Sequence, residues 1–279
     1  MSADLASQNV TSAAPAFDAQ YDQLVDQYFD AYFQLHPTEA TSAGFHQYDS
    51  QLEDFSPAGL ERERAFLQEY QQKFAAVKPP AQVVAAADLD FLRHTIAGQL
   101  LELEKIRMWE KDPDMYSSFV SGSAFTIMSR SYAPQADRLR ALVSRERQMP
   151  QVLDAGRHNL KNPPRVYTEV ALEQVPGIIG FFQKDVPAAF SQVRDPQLLQ
   201  EFHTANQAVI DALEKYQDFL KEDLLPVSHG DFRIGAENYR QKLVDDEMVD
   251  IPLDRVLAIG MADLRRNQQA LKETAAQLD

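Results

Sequence analysis

The chain has 279 residues, 44% of them hydrophobic, and carries 42 acidic against 27 basic side chains for a net charge of -15. The hydrophobic share supports a real core in one large domain or two smaller ones, whereas the acidity disfavours the clustered Lys and Arg that a phosphate backbone needs, so no nucleic-acid partner is expected. Cysteine is absent, which excludes disulfides, thiolate nucleophiles and Cys-ligated metals, and no run is long and apolar enough to span a bilayer.

Residues 1–16 are rich in Ser and Ala, lack the apolar stretch of a signal peptide and read as a flexible leader. From residue 17 nearly every segment reads as helix. Leu24, Val25, Tyr28, Phe29, Tyr32 and Phe33 mark one apolar face, which His36-Pro37 stops because a residue before proline is pushed out of the helical region. A loop after Gly44 carries His46 and Tyr48. Ser56-Pro57 is an N-cap followed by proline at the first helical position, and that helix runs through Leu60, Leu67, Tyr70 and Phe74 to Lys78-Pro79-Pro80. A third, long helix carries Leu89, Leu92, Ile96, Leu100, Leu103 and Ile106 and ends near Trp109, ahead of Asp112-Pro113.

Tyr116 to Tyr132, with Gly122, predicts a mixed, partly helical segment. Pro134 opens a helix whose outer face bears Arg138, Arg140, Arg145, Glu146 and Arg147, a pattern that reads as solvated or salt-bridged. Asn162-Pro163-Pro164 is a break. Val166 to Phe190 is interrupted by Pro176-Gly177 and Gly180, which predicts a kink or two short helices. Asp195-Pro196 starts a long helix through Phe202, Val209, Leu213 and Tyr216, closed by Leu225-Pro226. His229 to Gly235 reads as a loop, Ala236 to Leu243 as a short helix, Asp245, Asp246 and Glu247 as an exposed acidic turn, and Pro252 opens a last helix to Asp279. No alternating strand pattern sustains a sheet. The expected fold is all-α, a multi-helix array of mostly antiparallel helices with little or no sheet.

Local chemical motifs are missing. None of the six histidines lies three or four residues from another, none is followed by glutamate, and no Glu-x-x-His occurs. There is no Gly-x-Ser-x-Gly elbow and no phosphate loop. His94 and His203 read as structural histidines on helices, and Trp109 as a core residue. Function concentrates in loops set on a scaffold, so the substrate-cleft candidates are His46 and Tyr48 after Gly44, with Arg233 and Tyr239 around Gly235. No catalytic residue and no metal ligand is assigned.

Four segments, in order, resemble the bacterial family catalogued as domain of unknown function 885 (DUF885). They are YFQLHPTEATSAGFHQYD at Tyr32–Asp49, DLDFLRHTIAGQLLELEKIRMWEKDPDMY at Asp88–Tyr116, NLKNPPRVYTEVALEQVPGIIGFF at Asn159–Phe182, and GAENYRQKL at Gly235–Leu243 followed by IPLDRVLAIGMADL. The resemblance implies a mainly helical protein of about twice this length, similar to zinc metallopeptidases, and exported (periplasmic or secreted) or lipid-anchored. The His-Glu-x-x-His-like zinc motif of such proteins lies in the C-terminal half, and no position here matches it.

On this likeness, residues 17–279 are the helical N-terminal half of a larger metallopeptidase-like domain. That half forms one wall of the substrate cleft for a zinc-dependent peptidase or hydrolase, and its expected partners are a peptide substrate and the C-terminal half of the same protein. The chain itself has no cofactor on this reading, because zinc belongs to the C-terminal half. The alternative is a non-catalytic helical module that binds a peptide or protein. Where the natural stop codon falls separates the two.

Overall fold

The computed structural model describes residues 16–79 and 82–277, so the 1–16 leader lies outside the described residues apart from Ala16. Within them the chain is mainly helical, and no strand occurs among the described residues. Helices α1 (Ala16–Leu35), α3 (Pro57–Ala76) and α4 (Val83–Leu101) form a first group. They pack antiparallel around a core of Tyr28, Phe66, Leu67, Tyr70, Phe74, Leu89 and Ile96. Tyr28 sits at its centre, stacked on Phe66 with centroids 5.4 Å apart and edge-on to Tyr70 at 5.3 Å. Arg93 ties the carbonyls of Phe74 and Val77, which caps the end of α3 and sets the α3–α4 register.

The second, larger group is α5 (Pro113–Ser129), α6 (Gln135–Glu146), α7 (Met149–Asn159), α8 (Arg165–Gly180), α9 (Val186–Ala189) and α10 (Pro196–Asp218). Its core includes Tyr116, Ile127, Leu139, Leu142, Phe182, Phe202, Val209, Leu213 and Tyr216, all buried. The short helix α2 (Pro37–Ala43) belongs with this group. The Arg130 guanidinium donates to the Ser42 carbonyl at 2.7 Å, and Arg145 donates to the Thr41 hydroxyl at 2.6 Å. The chain therefore crosses between the two cores at His36, again at Glu53–Ser56, and a third time at Arg107–Asp112.

Several local expectations change. Tyr116 to Tyr132 is helical as far as Ser129, where α5, unbroken from Pro113 and past Gly122, ends ahead of the non-helical residues 130–132. Asp112 caps α5 by accepting from the Asp114 N–H at 3.0 Å, and Ser121, Ser123 and Thr126 turn their hydroxyls back onto carbonyls one turn earlier, so no polar group breaks the helix. The third long helix stops at Leu101 and continues as a wide π turn, Glu102–Ile106, closed by Arg107 in the left-handed region at φ 58°. Pro176 lies inside α8, and the irregularity falls after it, in a second π turn at Phe181–Asp185.

The acidic turn at 245–247 is instead the last turn of α11 (Ala236–Glu247). Asp245 is buried there, 3.3 Å from His94 Nδ1 and accepting from Gln241 at 2.8 Å, which seats α11 on α4. Arg138 and Arg145, expected on a solvated face, are buried, since each finds carbonyl acceptors inside the core. His203 is exposed rather than packed. The last described helix, α12 (Leu253–Ala275), buries no residue.

Candidate functional site

Where the two cores meet, three neighbouring hollows share lining residues, and together they make up what is called the trough. The first, about 470 Å³, lies between α1, α2, the 52–55 segment and α3, and is lined by His36, Glu39, Glu53, Asp54, Glu63 and Phe119 among others. The second, about 200 Å³, shares Phe55 and Glu63 with the first and is mostly apolar, with Leu103, Met108, Trp109 and Met115. The third, about 570 Å³, shares Leu60, Leu103 and Trp109 with the second and ends on Arg64, Arg107, Glu110, His158 and Lys161. Gly59 forms part of the floor, and a Cβ there would collide with the Asp54 carbonyl, so the close turn into α3 depends on glycine.

Local chemistry places each polar group. Pro37 ends α1 and leaves His36 at the junction, where its ring packs on Tyr32 with centroids 4.2 Å apart and its Nε2 lies 3.7 Å from Glu63. Burial pushes the His36 imidazole down to about 4, so the ring is neutral at pH 7 and its contact with Glu63 is not an ion pair. Glu53 accepts from the Thr38 amide at 3.1 Å and the Thr38 hydroxyl at 2.5 Å. Even so, burial outweighs those bonds and the Arg145 charge, and lifts its carboxyl to about 7. Burial also raises Glu63. Three desolvated titratable groups in one hollow are the pattern of a functional site, and ion-pair networks produce it as well.

Behind the hollow a buried network holds the wall. Arg145 donates to the Ser123 carbonyl at 2.9 Å and to Thr41 Oγ1, and Thr41 in turn donates to Asp49 at 2.8 Å. His46 belongs to this network, with Nδ1 3.2 Å from Asp49 and its ring stacked on Tyr132 at 3.7 Å. It anchors its loop. Tyr48 is half-buried in the same turn. Arg233 is exposed, paired with Asp231 at 3.2 Å and lying over the Phe232 ring. Tyr239 is exposed on α11. None of the four lines the trough, and no hydrogen bond, ion pair or ring contact joins His46 to Arg233 or Tyr239.

The trough residues themselves escaped sequence reasoning. Glu63 and Arg64 sit in a Glu-Arg-Glu-Arg run on α3 that carries no motif, and His36 reads only as a helix end. The one available signal was the position of His36 inside the Tyr32–Asp49 segment. A zinc ion does not fit this donor set, since no group of three or more His, Asp or Glu able to hold a metal occurs among the described residues. A further hollow of about 500 Å³ between α7 and α10, walled by Asp154, Arg157, Asp211 and Lys215, is an open surface depression without desolvated groups.

Residues 37–279 match a family model described as bacterial protein of unknown function (DUF885). Among solved structures, the chain is similar to "a putative lipoprotein of unknown function from Shewanella oneidensis", with a TM-score of 0.77 and 25% identity, over 89% of this chain and 46% of that one. The chain thus spans just under half the length of that protein. No curated protein matches.

Proposed function

We propose, for a chain that belongs to the DUF885 family of bacterial proteins, that it supplies the substrate-holding helical wall of a larger zinc-dependent peptidase or related hydrolase, whose metal ligands sit on other polypeptide. The observation that carries this reading is the trough between the two cores. It is roomy, apolar at its centre and bordered by desolvated polar groups, yet has no donor set for a metal. A second observation agrees with it. Leu257, Met261, Leu264 and Leu271 form an uncovered stripe on α12, at spacings that put them on one side of the helix, and such a stripe suits a packing partner. The likeness to a protein about twice as long supports the same division of labour, and its lipoprotein description supports export of this one.

The test is metal analysis and a peptidase assay on the purified chain. We expect no stoichiometric zinc and no cleavage of a mixed peptide substrate, together with peptide binding in the trough. A zinc ion retained by these residues, or turnover by this chain alone, would overturn the reading.

A further inference from the structure

Native interiors leave few buried polar atoms without a partner. Here six such atoms border the trough: His36 Nε2, Glu53 Oε2, Gln99 Oε1, Glu102 Oε1, Arg64 Nε and Arg107 Nε, none with a hydrogen-bond partner among the described residues. Only five others occur in the rest of the described chain. The six are ordered along the trough. His36 Nε2 and the Glu53 acceptor lie at the first end, Gln99 and Glu102 offer acceptors in the middle, and the two arginines offer donors at the far end.

The charges are ordered as well. The first end is lined by Glu39, Glu53, Asp54 and Glu63 against one lining cation, Arg62, already held by Asp54 at 2.5 Å. The buried Arg145 guanidinium lies behind Glu53, and His36 there is neutral. At the far end the cations are balanced. Arg64 pairs with Glu61 at 2.8 Å and lies 3.8 Å from Glu104, while Arg107 and Lys161 pair with Glu110 at 2.6 and 3.4 Å. The Glu61 and Glu110 pairs occupy outer guanidinium nitrogens. Arg64 Nε faces Glu104 at 3.8 Å, beyond hydrogen-bond reach, and Arg107 Nε is left as a donor, so both sit in a charge-balanced setting that suits an uncharged carbonyl oxygen more than an anion. Between the ends, Phe55, Leu60, Leu103, Met108, Trp109 and Met115 make an apolar seat.

An extended peptide main chain presents N–H donors and C=O acceptors in alternation, with side chains standing off it. We infer that the trough takes an unblocked oligopeptide with an apolar side chain. Its α-ammonium group lies at the His36–Glu53–Glu63 end and its main-chain carbonyls lie on Arg64 and Arg107. This rests on the reading of the trough as a substrate wall and adds the substrate's chemistry and direction.

Trp109 is the single tryptophan and lines two of the three hollows, so its emission reports occupancy directly. The 279-residue chain is titrated with Leu-Leu-Ala-amide and with its N-acetylated form. The free amine is expected to shift Trp109 emission and to bind at least about tenfold more tightly than the acetylated peptide, a ratio within reach of one desolvated ion pair. Glu63→Gln and Glu53→Gln each bring that ratio toward one. Arg107→Asn, which keeps a residue tolerant of positive φ, weakens both peptides alike. Circular dichroism and thermal melting establish that each variant folds. Equal affinity for the two peptides, or no binding of either, overturns the inference. Cleavage or zinc retention would instead overturn the wall reading and would leave the affinity ratio to be judged separately.

Discussion

Helices α10 and α12 are each 23 residues long and each amphipathic, and their fates differ completely. α10 buries Leu198, Phe202, Ala205, Val209, Ile210, Leu213 and Tyr216, and its start is fixed by Asp195, which accepts from the Gln197 and Leu198 amides. On α12, by contrast, Leu257, Ile259, Met261, Leu264 and Leu271 all remain exposed. What supports α12 is local. It is rich in Ala, Leu, Arg and Gln, which favour helix intrinsically, and its side chains pair along its own surface, Asp263 with Arg266 and Asn267, and Gln269 with Glu273. The lesson is that an apolar stripe at helical spacing states that a face exists and says nothing of what covers it.

The largest effect expected from this contrast is in unfolding. Leu213→Ala should cost ~2–5 kcal/mol, the usual range for emptying a packed site, whereas Leu264→Ala should stay within ~0.5 kcal/mol. Urea denaturation of the two variants measures both, and similar losses would mean that α12 is packed after all.

A smaller effect should show that the packed half carries an internal conflict at the trough. Burial lifts Glu53 to about 7, so the folded chain holds a proton that the unfolded chain releases near its ordinary 4.5. The stability drawn from Glu53 is therefore present at acid pH and is lost as pH rises through 7. His36 runs the other way. Its folded value near 4 means stability is lost as pH falls from about 6.5 toward 4. Glu53→Gln removes the first loss and keeps an acceptor for Thr38. The variant should gain on the parent steadily between pH 4.5 and 7.5, by ~1–3 kcal/mol at the upper end. Paired melts across that range check it, and a constant offset would refute the assignment.

The smallest effect belongs to α12 alone. Replacing Leu257, Leu264 and Leu271 together by Ser should abolish binding of a hydrophobic dye and any self-association, while moving the melting temperature by no more than a degree or two. A large drop in melting temperature would show that the stripe packs onto the body of the protein.

Much of the fold was legible because its signals are local. Ser56-Pro57 and Asp195-Pro196 start helices where capping chemistry says they should, with Ser56 accepting from the Gly59 amide at 3.1 Å. Pro37 ends α1 because of what proline does to the residue before it. The errors came where a distant partner decided the matter. Gly122 does not interrupt α5, since Val120, Ala124 and Ile127 on either side of it are buried against the second core. Asp245 reads as an exposed turn until His94, 151 residues away in sequence, is brought against it.

The candidate site was less legible for the same reason. Loop glycines drew attention to His46, Tyr48, Arg233 and Tyr239, but a loop position carries no information about which walls face one another. His36, Glu53, Glu63, Arg64 and Arg107 come from three separate crossings between the cores and from one helix face. The sequence by itself determined the helices, their apolar faces and the absence of local metal motifs, because propensity, capping and spacing act within a few residues. Only the tertiary structure decided which faces are covered, which carboxyls are desolvated and that a trough runs between the cores, because burial depends on chain segments that meet in space and not along the sequence.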